Sequence, residues 1–223
     1  MLRFETSTQA IGKLSSFAEY LSRKRDDQQV IYYVVGEKRD QMLANPLMEY
    51  YHSRQIEVLL LSDPVDSFTV AYLNDIGGVS LESIEKTPTH NDTENTTLLT
   101  PNVVKRLKEI IGDEVEDVEE TDKMVSSPSA FFSGKQGLDS HTERMMKVMD
   151  KNFKGSKKIF GVNPNHELIR KINERIESDA NDELSNLLLR QLYDLSKITE
   201  GELENPSEFH SRMTEIMMKT LQN

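Results

Sequence analysis

Apolar positions near the C-terminus fall into two stripes at three-and-four spacing. The first holds Leu184, Leu187, Leu188, Leu192, Leu195 and Ile198, and the second Phe209, Met213, Ile216, Met217 and Leu221. This spacing predicts two amphipathic helices, over 181–199 and 206–222. The connecting Glu200-Gly201-Glu202 is too short to fold over either face. Asn205 stands where an N-cap belongs, Pro206 at the first helical position, and Glu208 where it can reach back in a capping box. Such a hairpin carries more apolar surface than it can hide by itself. Packing of both stripes on the chain's own core is one reading, and two-fold pairing of two copies into a four-helix bundle is the preferred one.

Upstream, the pattern changes to short continuous apolar runs. Val30–Val35, Val58–Leu61 and Val79–Ile84 predict strands buried on both faces, with helices expected near 38–53 and from Pro64. The expected unit is a small three-layer βαβαβ arrangement around a parallel sheet, with right-handed crossovers. Asp63-Pro64 repeats the cap-then-proline pattern, and Gly77-Gly78 is expected to close the second helix. Residues 89–97 contain no apolar side chain, so 88–97 is expected to be a polar linker between a domain at 1–87 and another at 98–223. In the second, Thr100-Pro101 opens a helix with Val103, Val104, Leu107, Ile110 and Ile111 on one face, closed by Gly112. Strands are expected around 115–125, 129–133 and 158–162, with a helix over 139–152 and three terminal helices. The fold class is therefore α/β followed by α+β, ending in the helical hairpin.

Composition narrows the partners. With 223 residues the chain has room for two domains. Its 38 acidic against 27 basic residues give a net charge of −11, which repels phosphate. The densest basic run, Arg23-Lys24-Arg25, is followed at once by Asp26-Asp27, so nucleic acid is not an expected partner. No window approaches a membrane span and the start carries no export-type apolar run, so a soluble, cytoplasmic protein is expected. Without cysteine, thiolate catalysis and disulfides are excluded.

Motifs for catalysis are lacking. The histidines at 52, 90, 141, 166 and 210 show no metal-ligand spacing. Gly134-Lys135-Gln136-Gly137 lacks the spacing and following hydroxyl of a phosphate loop. The acidic run 113–120 has no central glycine for a calcium loop and reads as a solvated edge strand. No catalytic, cofactor-binding or metal-binding residue is expected. One segment remains: His141 to Asp150 places Met145, Met146, Val148 and Met149 on a short charged helix flanked by glycines. Methionine suits a surface that must accept varied apolar partners, although it also fills gaps in cores.

Several segments, taken in order, resemble the 90-kDa heat-shock chaperone family in its bacterial type. They are LRFETS at 2–7, EYLSR at 19–23, IYY at 31–33, EVLLLSDP at 57–64, SPSA at 127–130, ERMMK at 143–147 and NPNH at 163–166. The resemblance implies that 1–87 is the last α/β part of that family's middle domain and 98–223 its C-terminal dimerisation domain. It implies a homodimer held by Leu184, Leu187, Leu188, Leu192, Leu195, Phe209, Met213, Ile216, Met217 and Leu221. It further implies that partly folded clients are contacted by Phe68, Met145, Val148 and Met149. The family's ATP and magnesium site lies in a domain preceding the segment matched by Leu2-Arg3-Phe4, so no ATP binding is expected here. The end at Asn223, without an acidic pentapeptide, fits a bacterial or organellar type. The alternative from the residues alone is a small metabolite-binding enzyme using the strand ends of the 30–85 sheet, at Gly36 and Ser62-Asp63.

Overall fold

The computed structural model describes residues 3–63, 65–66, 70, 75–86, 99–134, 137–150 and 152–221. The chain divides into two compact units, Met1–Lys86 with Lys135–Ser156, and Thr87–Gly134 with Lys157–Asn223. Both are mixed α/β, and together the described residues hold two sheets and eight α-helices. The linker expected at 88–97 lies outside the described residues, and so does most of the helix expected from Pro64.

In the first unit, β1 (Glu5–Thr6), β2 (Val30–Val35), β3 (Val58–Leu61), β4 (Asp75–Ile76) and β5 (Val79–Ser83) form one sheet in the order β1-β3-β2-β5-β4. The three strands expected from apolar runs pair in parallel, Val34 opposite Leu60 and Ile31 opposite Leu81. Two short antiparallel strands were not foreseen. β1 pairs with β3, and β4 pairs with β5 across a two-residue turn at Gly77-Gly78. Gly77 and Gly78 both have positive φ, 62° and 82°, the backbone that this tight hairpin requires. The pair therefore turns a hairpin instead of ending a helix. α1 (Phe17–Arg23) opens on a capping box, with Ser16 N–H donating to Glu19 Oε2 at 2.6 Å. The helix expected over 38–53 is two, α2 (Arg39–Leu43) and α3 (Met48–Ser53). Pro46 has no N–H to continue the first, and Asn45 Oδ1 accepts the Leu47 N–H at 2.9 Å. Phe4, Tyr20, Ile31, Val35, Leu59, Leu61 and Val70 make the core.

The second unit has α4 (Pro101–Ile111), a three-stranded sheet of β6 (Asp117–Glu120), β7 (Ser129–Phe132) and β8 (Ile159–Val162), and three terminal helices. These are α6 (Glu167–Ser178), α7 (Glu183–Glu200) and α8 (Pro206–Leu221); α5 (Ser140–Met149) belongs to the first unit. The acidic β6 is an edge strand in the order β6-β8-β7, as the charge pattern anticipated. Thr100 sits at the N-cap of α4 but its side chain makes no cap bond. Asn173 of α6 replaces it, its Oδ1 accepting the N–H groups of Asn102 at 3.0 Å and Val103 at 3.4 Å. Glu120 meanwhile accepts from Thr100 N–H and Oγ1, both at 2.6 Å. The core joins Val103, Leu107, Phe131, Phe160, Ile172 and Tyr193.

Candidate association surfaces

α7 and α8 form an antiparallel hairpin, fixed by ion pairs that run in opposite directions along the two helices. Arg212 meets Asp194 at 2.5 Å, and Lys219 meets Glu183 at 3.0 Å. Gly201 closes α7 in the left-handed region, φ 71°, a position glycine occupies without strain. At the start of α8, Asn205 Oδ1 accepts the Glu208 N–H at 3.1 Å. Glu208 reaches back to the Asn205 side-chain amide, at 3.3 Å, so the contact expected with the N-cap backbone is made with its side chain.

The predicted interface residues occupy three kinds of place. Leu184, Leu192 and Ile216 are buried within their own unit; Leu187, Leu188, Phe209 and Met213 are half-buried; Leu195, Met217 and Leu221 are exposed, Leu221 at 82%. Ile198 and Met218 are exposed as well. α7 is apolar on two faces. Leu189, Leu192 and Tyr193 enter the core, while Leu195 and Ile198 point away from it. The polar residues between the helices escaped the apolar pattern: Arg212, Asp194 and Gln191 are all buried. Their only signal was one charge on the inner side of each helix. Nearby, Glu114 is joined by Arg190 at 2.5 Å and Lys197 at 3.2 Å. Burial works against its ionisation, but these hydrogen bonds outweigh burial and hold the carboxyl below its ordinary value.

α5 begins at Asp139, whose carboxylate accepts the Thr142 N–H at 2.9 Å, and the Ser140 N–H donates to buried Glu85 at 2.7 Å. Buried Glu143 accepts the Ser156 N–H at 2.9 Å, which returns the segment after the helix to its first turn. Held at that end, α5 leaves Val148 80% and Met149 73% exposed, with Met145 and Met146 half-buried. Phe68, the remaining predicted contact residue, lies outside the described residues.

Other segments that carry the resemblance serve as scaffold. Arg23 grips Glu57 through Nε at 3.1 Å and Nη2 at 2.7 Å, and Tyr20 donates to the Glu57 carbonyl at 2.7 Å. Burial pushes the Tyr20 phenol up to about 12. Asn163 is buried, donating to the carbonyls of Met124 and Ser127 at 3.3 and 3.1 Å, and His166 Nδ1 accepts the Leu168 N–H to cap α6. At the strand ends proposed for a metabolite, Met42 fills the space: a Cβ added to Gly36 would lie 2.7 Å from its Cγ. Asp63 is occupied in holding the Val65 N–H at 2.9 Å. Among the described residues no cluster of three or more His, Asp or Glu is arranged to hold a metal ion, and no helix is long and apolar enough to cross a membrane.

Two charged helical elements that each keep large apolar side chains in solvent define a protein with contact surfaces. A model of the family described as Hsp90 protein matches residues 1–223, and the chain belongs to that family. It is 39% identical to the chaperone protein HtpG of Chlorobium phaeovibrioides over 97% of its own length. It is 38% identical to HtpG of Chlorobaculum tepidum over 97% of its length, and 30% identical to HtpG of Legionella pneumophila over 99%. The chain spans 36% of the length of each of these relatives. These matches bear out the resemblance carried by the sequence, and nothing in them supports the metabolite-enzyme alternative.

Proposed function

We propose that this chain is the self-pairing and client-contacting portion of a 90-kDa heat-shock chaperone acting in the cytoplasm. Membership of the family, whose relatives are named chaperone proteins, supports the class of activity. The single observation that carries the reading is the row of Leu195, Ile198, Met217 and Leu221 left in solvent on one terminal hairpin. A second copy covers that row in a four-helix bundle, with Leu187, Leu188, Phe209 and Met213 entering from the half-buried margin. Val148 and Met149, with Met145 and Phe68, meet partly folded clients.

In this reading residues 1–87 belong to the middle domain, 88–97 to the connection and 98–223 to the dimerisation domain. Pairing holds the two arms of the parent at high effective concentration, so that ATP-driven closure can work on a client between them. ATP and magnesium act in the parent's N-terminal domain, and no residue of this chain is assigned to them.

Sedimentation of the Leu195→Glu/Leu221→Glu double variant tests the pairing. Both side chains are exposed, so the substitutions spare the core. The parent chain is expected to sediment as a dimer and the variant as a folded monomer. A parent chain that is monomeric at micromolar concentration, or a variant that stays dimeric, overturns the assignment. Suppression of aggregation of several unrelated denatured proteins, reduced by Val148→Ser/Met149→Ser, is the expected sign of client contact.

A further inference from the structure

Sulfur in this chain is entirely thioether, since it has ten methionines and no cysteine. The structure sorts these methionines sharply. Met42, Met48 and Met124 are sealed in the two cores, at 4%, 0% and 4% exposure. Met149, Met217 and Met218 stand in solvent, at 73%, 57% and 54%. Met145, Met146 and Met213 are half-buried beside them. Every solvent-facing thioether described therefore lies on α5 or α8, the two elements with uncovered apolar surface. At such positions leucine would provide the same hydrocarbon; methionine adds an atom that a peroxide can oxidise.

We propose that Met149, Met217 and Met218 form a peroxide-responsive modification site that converts the chain's apolar contact surfaces into polar ones. The thioether sulfur attacks one oxygen of hydrogen peroxide, the O–O bond breaks, a sulfur–oxygen bond forms, and the second oxygen leaves as water after proton transfer. Sulfur loses two electrons and the peroxide gains them. Two thiols reverse the change, taking the oxygen as water while they form a disulfide. A sulfoxide is a strong hydrogen-bond acceptor, so covering it with hydrocarbon costs free energy that covering a thioether does not. The chain then loses association without losing its fold, because the three sealed thioethers are out of reach. The functional consequence rests on the pairing and client-contact reading above; the site itself rests on exposure alone.

Geometry also gives the three positions different meanings. Met217 falls within the proposed self-pairing stripe, so a second copy protects it. Met149, on α5, and Met218 are not among the residues of that stripe. The oxidation rate of Met217, unlike theirs, therefore rises on dilution.

The test treats the 223-residue chain with graded hydrogen peroxide and maps sulfoxide at each methionine by peptide mass, alongside sedimentation and aggregation suppression. Met149 and Met218 are expected to oxidise first, Met217 to follow as dilution separates the two copies, and Met42, Met48 and Met124 to stay protected until denaturant is added. The dimer dissociation constant is expected to rise about tenfold or more, the effect of burying one additional polar group. The Met149→Leu/Met217→Leu/Met218→Leu variant, compared with its own untreated pairing and aggregation suppression, is expected to lose nothing further under peroxide, and methionine sulfoxide reductase with a dithiol is expected to restore the oxidised parent. Equal oxidation of sealed and exposed methionines overturns the site. A triple-leucine variant that loses association as fast as the parent overturns the consequence. An untreated chain that neither pairs nor suppresses aggregation sinks the functional reading on which the consequence stands, while the order of oxidation still decides the site.

Discussion

The Arg212 guanidinium lies 2.5 Å from the Asp194 carboxylate, and the two side chains are only 7% and 8% exposed, so the bond between α7 and α8 is an ion pair sealed inside the hairpin. Glu208 at 3.0 Å and Gln191 at 3.5 Å complete the surroundings of the arginine. A buried pair contributes little beyond a well-packed apolar one, but breaking it leaves the buried Asp194 carboxylate with only the more distant Arg190 Nε, at 3.7 Å. Arg212→Met is therefore expected to destabilise the unit by about 3–5 kcal/mol in chemical denaturation. Arg212→Met with Asp194→Leu is expected to recover most of that loss. If the single and double variants fall equally, the pair has been assigned the wrong role.

Asp182, the N-cap of α7, is one of the carboxylates that make stability depend on acid. Arg175 donates to it through Nε at 3.1 Å and Nη2 at 2.7 Å, and the Ser185 N–H at 2.8 Å. Hydrogen bonding to Arg175, opposed by partial burial and reinforced by Ser185, lowers its pKa from 3.8 to about 2. Because the folded value is the depressed one, the stabilisation is fully present above the unfolded value and drains away as pH falls through the interval down to about 2. Asp182→Asn keeps a capping oxygen and loses the charge. Its thermal stability is expected to be lower by about 1 kcal/mol at neutral pH, with a flatter decline below pH ~4 than the parent shows.

Gly161 tests the packing of the second sheet. It sits in the central strand β8 opposite Ala130, and a Cβ there would collide with Cε2 and lie 2.9 Å from Cδ2 of the buried Phe132 ring. Gly161→Ala is expected to cost about 1–3 kcal/mol or more, since a ring wedged in a core cannot turn aside. Adding Phe132→Leu to it should return part of the loss, measurable as a double-mutant cycle in urea.

Much of this architecture was legible because burial writes a period into the chain. The continuous runs at 30–35 and 58–61 could only be strands covered on both faces, and the three-and-four stripes of α7 and α8 could only be helices. What stayed hidden depends on partners distant in sequence. Gly77-Gly78 reads equally as a helix end or a hairpin turn until Asp75 is seen opposite Ser80. Thr100 looked self-sufficient as a cap until Asn173 and Glu120 arrived from elsewhere. On α7 the leucines announce an apolar helix without saying which of them enter the unit's own core. Only the packing of Leu189, Leu192 and Tyr193 beside Phe131 and Phe160 separates Leu192 from Leu195.

That borrowed cap gives the last prediction. The N-terminus of α4 has Pro101 at its first position and a Thr100 side chain engaged with Glu120, so the Asn102 N–H relies on Asn173 Oδ1, while Val103 N–H divides between that oxygen at 3.4 Å and the Thr100 carbonyl at 3.1 Å. Asn173→Ala is expected to lower stability by about 1 kcal/mol, as loss of an N-cap acceptor does. The loss should appear first as faster amide hydrogen exchange at Asn102, with Val103, still bonded to the Thr100 carbonyl, and the core of α4 exchanging later. Asn173→Asp keeps the acceptor and adds negative charge where the helix dipole favours it, so it is expected to match or exceed the parent near neutral pH. Should the alanine variant leave the Asn102 amide as protected as before, the contact between α6 and the start of α4 contributes nothing to holding that helix.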